Sequence, residues 1–166
     1  MLNKRWKIRE VEDNNSIKNL ADLLNISDVL ANLLFLRNIK TFSQAKYFFR
    51  PSIESLHDPY LMHGMEIAGK RIIHALTENQ PICIYGDYDV DGTTAVALVY
   101  TFFKKRYERV DFYIPDRYKE GYGISNAGID WAEDEGFGLI IALDCGIKSI
   151  DKIDYANKKG IDFIIC

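Results

Sequence analysis

Long hydrophobic runs are missing from this 166-residue chain. No stretch reaches the roughly 18–20 apolar residues of a membrane span, and the N-terminus has no apolar core of the signal-peptide kind. The expectation is a cytoplasmic protein with no membrane partner. Cysteine is scarce as well. Cys83, Cys145 and Cys166 are odd in number, far apart and form no CxxC pair, which argues against a disulfide framework and a zinc cluster and fits a reducing compartment. Histidine is limited to His57, His63 and His74. These fall in a connection and the helix after it, away from the segments that gather acidic residues, and are not read as metal ligands. An excess of charge is lacking too. The net charge of −3 announces no nucleic acid, although one basic groove can coexist with an acidic total. The basic cluster Lys104, Lys105, Arg106 and Arg109 closes a helical pattern, where cations favour the helix dipole.

What is present is a globular composition, 48% hydrophobic and 27% charged, sufficient for one ordinary domain or one with a small appendage. Residues 1–15 are polar around a lone Trp6 and read as an irregular lead-in. From Ser16 the spacing turns helical, with Ile17, Leu20, Ala21 and Leu24 on one face. Ser27 can cap a second helix carrying Val29, Leu30, Leu33 and Leu34. Thr41 and Gln44 read as a capping box for a third helix, which Pro51 ends after Phe49. A connection with two prolines follows to Gly64, and Met65, Ala68, Gly69, Ile72, Ile73 and Leu76 stripe a fourth helix.

After residue 80 short apolar runs alternate with helical segments. Strands are expected at 81–86, 109–114, 139–143 and 161–165, with helices at about 92–106, 125–135 and 148–159. Connections this long, carrying helices, imply parallel strands joined by right-handed crossovers. The unbroken apolar run LIIAL at 139–143 fits a strand covered on both faces. The expected fold class is therefore α/β. A parallel sheet with flanking helices spans 65–166, as a truncated core, and a small helical unit spans 1–64.

The chemistry concentrates in PICIYGDYDVDGTT, residues 81–94. Asp87, Asp89 and Asp91 alternate after an apolar strand, and three carboxylates so close resist burial unless something positive sits between them. Hard divalent cations answer that need. Asp116 and Arg117 follow the second strand, and Asp144 and Cys145 the third. All lie at carboxyl ends of parallel strands, the edge where open α/β sheets bind ligands.

Several readings of the acidic loop compete. An EF-hand loop needs an acidic residue at its twelfth position, which here is Leu98. Asp89 to Thr93 is similar to the nucleophile loop of haloacid-dehalogenase-like phosphatases, but there the nucleophile closes its strand directly, whereas Asp87 and Tyr88 intervene here. The remaining readings are a two-metal phosphoesterase and a surface acidic turn. Arg117 can fork onto a phosphate and Tyr118 or Tyr122 can offer a ring to a base, in a loop turned by Gly121 and Gly123. Thr93 and Thr94 open a helix whose free N–H groups can hold a phosphate oxygen, or simply cap it. Cys145 has no histidine partner and reads as a core thiol. The run IDFIIC ends on the last residue with no polar tail. A fragment is expected, with self-association possible through its exposed strand edge.

Taken in order and spacing, IYGDYDVDGTT, YIPDRYKEGYGIS and ALDCGI closely resemble the first three motifs of the DHH phosphoesterase superfamily, and SLHDPYLMHGMEIAGKRI extends the resemblance upstream. The resemblance implies a metal-dependent exodeoxyribonuclease of recombination and repair, removing nucleotides 5′→3′ from single-stranded DNA with Mn²⁺ or Mg²⁺ at a two-metal site. By position it makes Asp89, Asp91 and Asp144 the catalytic metal ligands, with Asp87 a ligand or an outer carboxylate. Arg117, Tyr122 and Gly123 become substrate contacts, to which Thr93 is added from its place at the helix start. The Asp-His-His motif of the superfamily is absent from these residues, so the chain by itself is expected to be inactive or nearly so. Rival functions are an oligoribonuclease or cyclic-dinucleotide phosphodiesterase of the same superfamily, and a catalytically dead DNA-binding scaffold.

Overall fold

Residues 5–7 and 14–166 are described by the structure, a computed structural model; most of the lead-in expected over 1–15 lies outside them. The chain divides into two units, 1–58 and 59–166. In the first, α1 (Asn14–Leu24), α2 (Asp28–Phe35) and α3 (Phe42–Phe49) pack through Ile17, Leu20, Ala21, Ala31, Leu34 and Ala45. The caps form as the sequence indicates. The Ser27 hydroxyl accepts from the Leu30 amide, and Thr41 and Gln44 exchange the two bonds of a capping box. Asn25 and Asn38 then take left-handed φ just past α1 and α2, a conformation asparagine tolerates at helix ends. Of the stripe expected on α2 only Leu34 is buried, beside Ala31; Val29, Leu30 and Leu33 are exposed. The fully buried position is the alanine, whose small side chain marks the face that meets α1.

The second unit runs α4 (Met65–Thr77), β1 (Ile82–Gly86), α5 (Val90–Lys104), β2 (Val110–Tyr113), α6 (Asn126–Asp134), β3 (Leu139–Leu143), α7 (Ile150–Lys158) and β4 (Asp162–Ile165). The four strands form a parallel sheet in the order β2-β1-β3-β4. This is the expected α/β class.

Alternation along the strands separates two cores. Ile82, Ile84, Leu139, Ile141 and Leu143 meet Ala75 of α4 and Val96 of α5. Cys83, Tyr85, Ile140 and Ala142 meet Ile129 and Ala132 of α6 and Ala156 of α7. With helices on both faces, β1 and β3 are buried along their whole length, which explains their unbroken apolar runs. The chain leaves β1 toward β2 on one side and returns to place β3 on the other. The crevice between the carboxyl ends of β1 and β3 is therefore a topological switch point, the place where such sheets bind ligands. No helix among the described residues is long and apolar enough to cross a membrane.

One boundary differs from the expectation. Helix α5 begins at Val90 rather than 92, with Asp89 as its N-cap in extended conformation. Asp89 accepts the Gly92 amide at 2.9 Å, and that bond draws two further residues into the helix. Asp91 consequently lies in the first helical turn, not in a loop.

Two substitutions separate the core from the surface. Ile84 is fully buried, whereas Ile73 on α4 is 60% exposed. Ile84→Ala is expected to cost about 2–5 kcal/mol and Ile73→Ala about 0.5 kcal/mol or less, read as shifts in the urea unfolding midpoint.

Candidate metal and substrate site

Two glycines set the floor of the site. A Cβ on Gly86 would fall 2.3 Å from Val96 Cγ2 and 2.9 Å from the Gly92 carbonyl oxygen, and a Cβ on Gly92 would fall 2.4 Å from the carbonyl oxygen of Asp87. The first turn of α5 thus rests directly on the backbone at the end of β1. Asp87 is sealed beneath it, fully buried. Its Oδ1 accepts the Tyr88 amide at 2.8 Å, while Oδ2 is buried with no hydrogen-bond partner. A buried carboxyl oxygen without a donor is costly, and a cation or donor beside it would offset that cost. Asp89 is engaged as the helix cap, and Asp91 is exposed. The Thr93 hydroxyl donates to the Asp89 carbonyl at 2.7 Å, so its proton is used within the turn.

Asp144 arrives from the neighbouring strand. Gly86 pairs with Leu143, so Asp87 and Asp144 each follow one rung of the β1–β3 ladder, where strands lie about 4.8 Å apart. Asp144 takes a left-handed φ of 56°, which aspartate accepts more readily than most residues. Its amide donates to the Cys166 carbonyl at 3.2 Å, and its side chain is exposed.

Two further groups feel these charges. The buried Cys145 thiol is pushed up to about 11, first by burial and then by the charges of Asp87, Asp144 and Asp89. The Tyr122 phenol is also raised, first by Asp87, then by burial and by Asp89 and Asp144. Asp87, Asp89 and Asp144 thus act on both side chains, and Asp91 is not among the groups acting most strongly on either. Among the described residues no three His, Cys, Asp or Glu side chains stand as a ready-made ion cage.

The loop after β2 supplies a rim of opposite character. The Arg117 guanidinium lies 5.3 Å over the Tyr88 ring, and Tyr88 meets Tyr122 edge to face with centroids 6.2 Å apart. Gly123, at φ +80°, places its carbonyl to accept the Tyr85 hydroxyl at 3.1 Å, a bond that ties the loop to β1. Tyr118 is almost wholly exposed. Sequence reasoning passed over Tyr88 and Glu120. The signal for Tyr88 was an aromatic side chain set between two aspartates; that for Glu120 was a second acid four residues beyond Asp116.

Comparison with known proteins extends this geometry. Residues 81–166 match the family described as the DHH family, N-terminal domain. A relative from Bacillus subtilis, the single-stranded-DNA-specific exonuclease RecJ, is 38% identical over 97% of this chain and 20% of its own length. A crystal structure of exonuclease RecJ bound to manganese is 28% identical with a TM-score of 0.57, over 63% of this chain and 27% of that one. The structure of RecJ in complex with Mn²⁺ from Thermus thermophilus superposes with a TM-score of 0.72 over 97% of this chain and 22% of that one, and at 20% identity it attests the fold. The chain thus spans about a fifth to a quarter of the length of these proteins.

The closeness of α5 to β1 is testable. Alanine at position 92 gains about 1 kcal/mol of helix propensity, but its Cβ meets backbone, which cannot swing aside. Gly92→Ala is expected to lower stability by about 1–3 kcal/mol net in urea unfolding, and to shift the amide resonances of Asp87 and Tyr88.

Proposed function

The chain belongs to the DHH family, and on that footing we propose that the β1–β3 crevice is the carboxylate part of a metal-dependent phosphodiesterase site acting on single-stranded DNA. The observation that carries this reading is the β1–β3 register, in which Asp87 and Asp144 follow paired strand ends and Asp87 Oδ2 is buried with no hydrogen-bond partner. The donor set fits a hard divalent cation. It consists of carboxylate oxygens, and one of them, Asp87 Oδ2, is buried without a partner.

Asp89, Asp91 and Asp144 are the proposed ligands, with Asp87 beside them as a ligand or as the carboxylate that orients one. Mn²⁺ or Mg²⁺, held there at two sites, would supply Lewis-acid polarisation of a phosphoryl oxygen and activation of water. The surrounding residues bind and orient. Arg117 carries a planar donor fork suited to a phosphate, Tyr122 and Tyr88 present rings on which a base can stack, and Gly123 holds the loop backbone that places them. Thr93 contributes from the start of α5 by closing the first turn with its amide and hydroxyl on the Asp89 carbonyl, next to the helix end whose dipole favours an anion.

The biological setting proposed with this chemistry is 5′→3′ trimming of single-stranded DNA in recombination and repair, in the cytoplasm. The proposed domain organisation is an N-terminal helical region over 1–64 and a DHH-type core over 65–166, a division close to that of the compact units 1–58 and 59–166. Both β2 and β4 pair on one side only, so self-association through a strand edge belongs to the same proposal.

The decisive experiment uses a chain carrying these residues at the length of its relatives. Asp89→Asn or Asp144→Asn is expected to lower Mn²⁺-dependent release of nucleotides from 5′-labelled single-stranded DNA by about a hundredfold or more. An unchanged rate in either variant removes that residue from the site. Dinucleotides and cyclic dinucleotides assayed alongside separate the DNA exonuclease from its superfamily rivals. The 166 residues alone contain no Asp-His-His, and no preassembled cage stands among the described residues; the 166 residues are expected to bind Mn²⁺ weakly and release no nucleotide, and clear turnover by them contradicts this assignment.

A further inference from the structure

The loop between β2 and α6 carries Arg117 and Tyr122, and one carboxylate bridges its two ends. Glu120 Oε1 accepts the Asp116 amide at 2.7 Å. Its Oε2 accepts the Tyr113 hydroxyl at 2.9 Å and also the Ser125 hydroxyl. The amide of Glu120 donates in turn to the Asp116 carbonyl at 2.9 Å, which closes residues 116–120 into a ring. The three donors come from the end of β2, the start of the loop and the N-cap of α6. Ser125 is itself fixed. Its hydroxyl accepts the Gly128 amide at 2.9 Å, and its own amide donates to the Tyr85 hydroxyl at 3.1 Å. The Tyr113 ring stacks on Tyr85 with centroids 5.4 Å apart.

The Asp116 amide can only donate, while the Tyr113 and Ser125 hydroxyls can also accept; all three donate to Glu120, whose two carboxyl oxygens receive them together. No ion pair among the described residues engages Glu120; its contacts are these hydrogen bonds. The far end of the loop is anchored separately, by the Gly123 carbonyl accepting the Tyr85 hydroxyl and by the buried Ile124, whereas residues 116–119 and 121–122 are exposed. A Cβ at Gly121 or Gly123 would meet nothing within 4 Å, so these glycines serve the backbone turn and not close packing.

We propose that Glu120 is a positioning residue, whose carboxylate gathers Asp116, Tyr113 and Ser125 and thereby holds Arg117 and Tyr122 over the acidic strand ends. Glu120 touches no reacting atom. It acts through the two side chains that flank it, three residues before and two residues after, and so sets how tightly the rim holds its ligand. The link to ligand rests on the function proposed above; the clamp itself does not.

Limited trypsinolysis reads the clamp without any substrate. The Arg117–Tyr118 bond keeps both of its residues in Glu120→Ala and Glu120→Gln. Its cleavage is expected to accelerate about tenfold in the alanine variant. The glutamine variant should fall between, because its amide keeps one oxygen but turns an N–H toward two hydroxyls. Cleavage after Lys158, on α7, should be unchanged and serves as the internal control. Should the alanine variant fail to fold, the glutamine variant carries the same measurement. Equal cleavage at Arg117 in wild type and variants overturns the clamp. In a chain of the relatives' length, Glu120→Gln is then expected to raise KM for single-stranded DNA about tenfold with kcat within about twofold. A fall in kcat at constant KM assigns Glu120 a purely structural role and overturns its positioning of the rim. Faster cleavage at Arg117 in a protein whose wild type turns over no DNA sinks the proposed function and leaves the clamp standing.

Discussion

Helix α5 presses its first turn onto the backbone of Asp87 where β1 gives out, and this contact is possible only because neither Gly86 nor Gly92 has a side chain to hold the elements apart. Much of the site follows from it. Asp87 is buried under the turn, with one oxygen committed to the Tyr88 amide and the other left without a donor. Asp89 falls at the N-cap, where its carboxylate satisfies one of the amides a helix start leaves unpaired. Asp91, two residues on, is carried into the helix and out toward solvent. Three aspartates that look alike in the sequence thus acquire three different environments from one close approach.

The charges are arranged in two tiers. The floor is acidic, built from the ends of β1 and β3, and part of its repulsion is offset by the positive end of α5 acting on Asp89. The rim is aromatic and basic, built from Tyr88, Tyr122 and Arg117. Tyr122 joins the two, since its phenol senses the floor carboxylates while its ring edges the stack that carries the guanidinium. In the proposed function the floor receives cations and the rim receives phosphate and base. A nucleic-acid substrate and its metal demand opposite charges within a few ångströms of each other.

The elements of the sheet unit were legible because both faces of the sheet are covered. Ile82 to Tyr85 and LIIAL are apolar at every position for that reason, and the helices between them show ordinary one-sided spacing. The start of α5 was misplaced by two residues because Gly92, Thr93 and Thr94 resemble a helix entry, whereas the Asp89 cap is decided by backbone geometry. On α2 the apolar Val29, Leu30 and Leu33 were assigned to the buried stripe and are exposed, since Ala31 marks the face that packs. Glu120 was invisible for a different reason. Its partners Tyr113, Asp116 and Ser125 lie on both sides of it in the chain, and a glutamate in a polar, glycine-containing loop has the look of a solvated side chain.

The sequence by itself determined that acidic residues stand at the carboxyl ends of parallel strands, because strand ends are set by local periodicity and parallel pairing by the length of the connections. It also carried the three motifs that identify the family. Which strand ends meet was decided by the tertiary structure alone. The order β2-β1-β3-β4 places β3, distant in the chain, directly against β1, so that Asp144 follows the same rung of the ladder as Asp87. No local pattern encodes that neighbour. It results from crossovers of fixed hand laying α5 on one face and α6 and α7 on the other, which leaves the crevice between β1 and β3 open at the one edge where the aspartates collect.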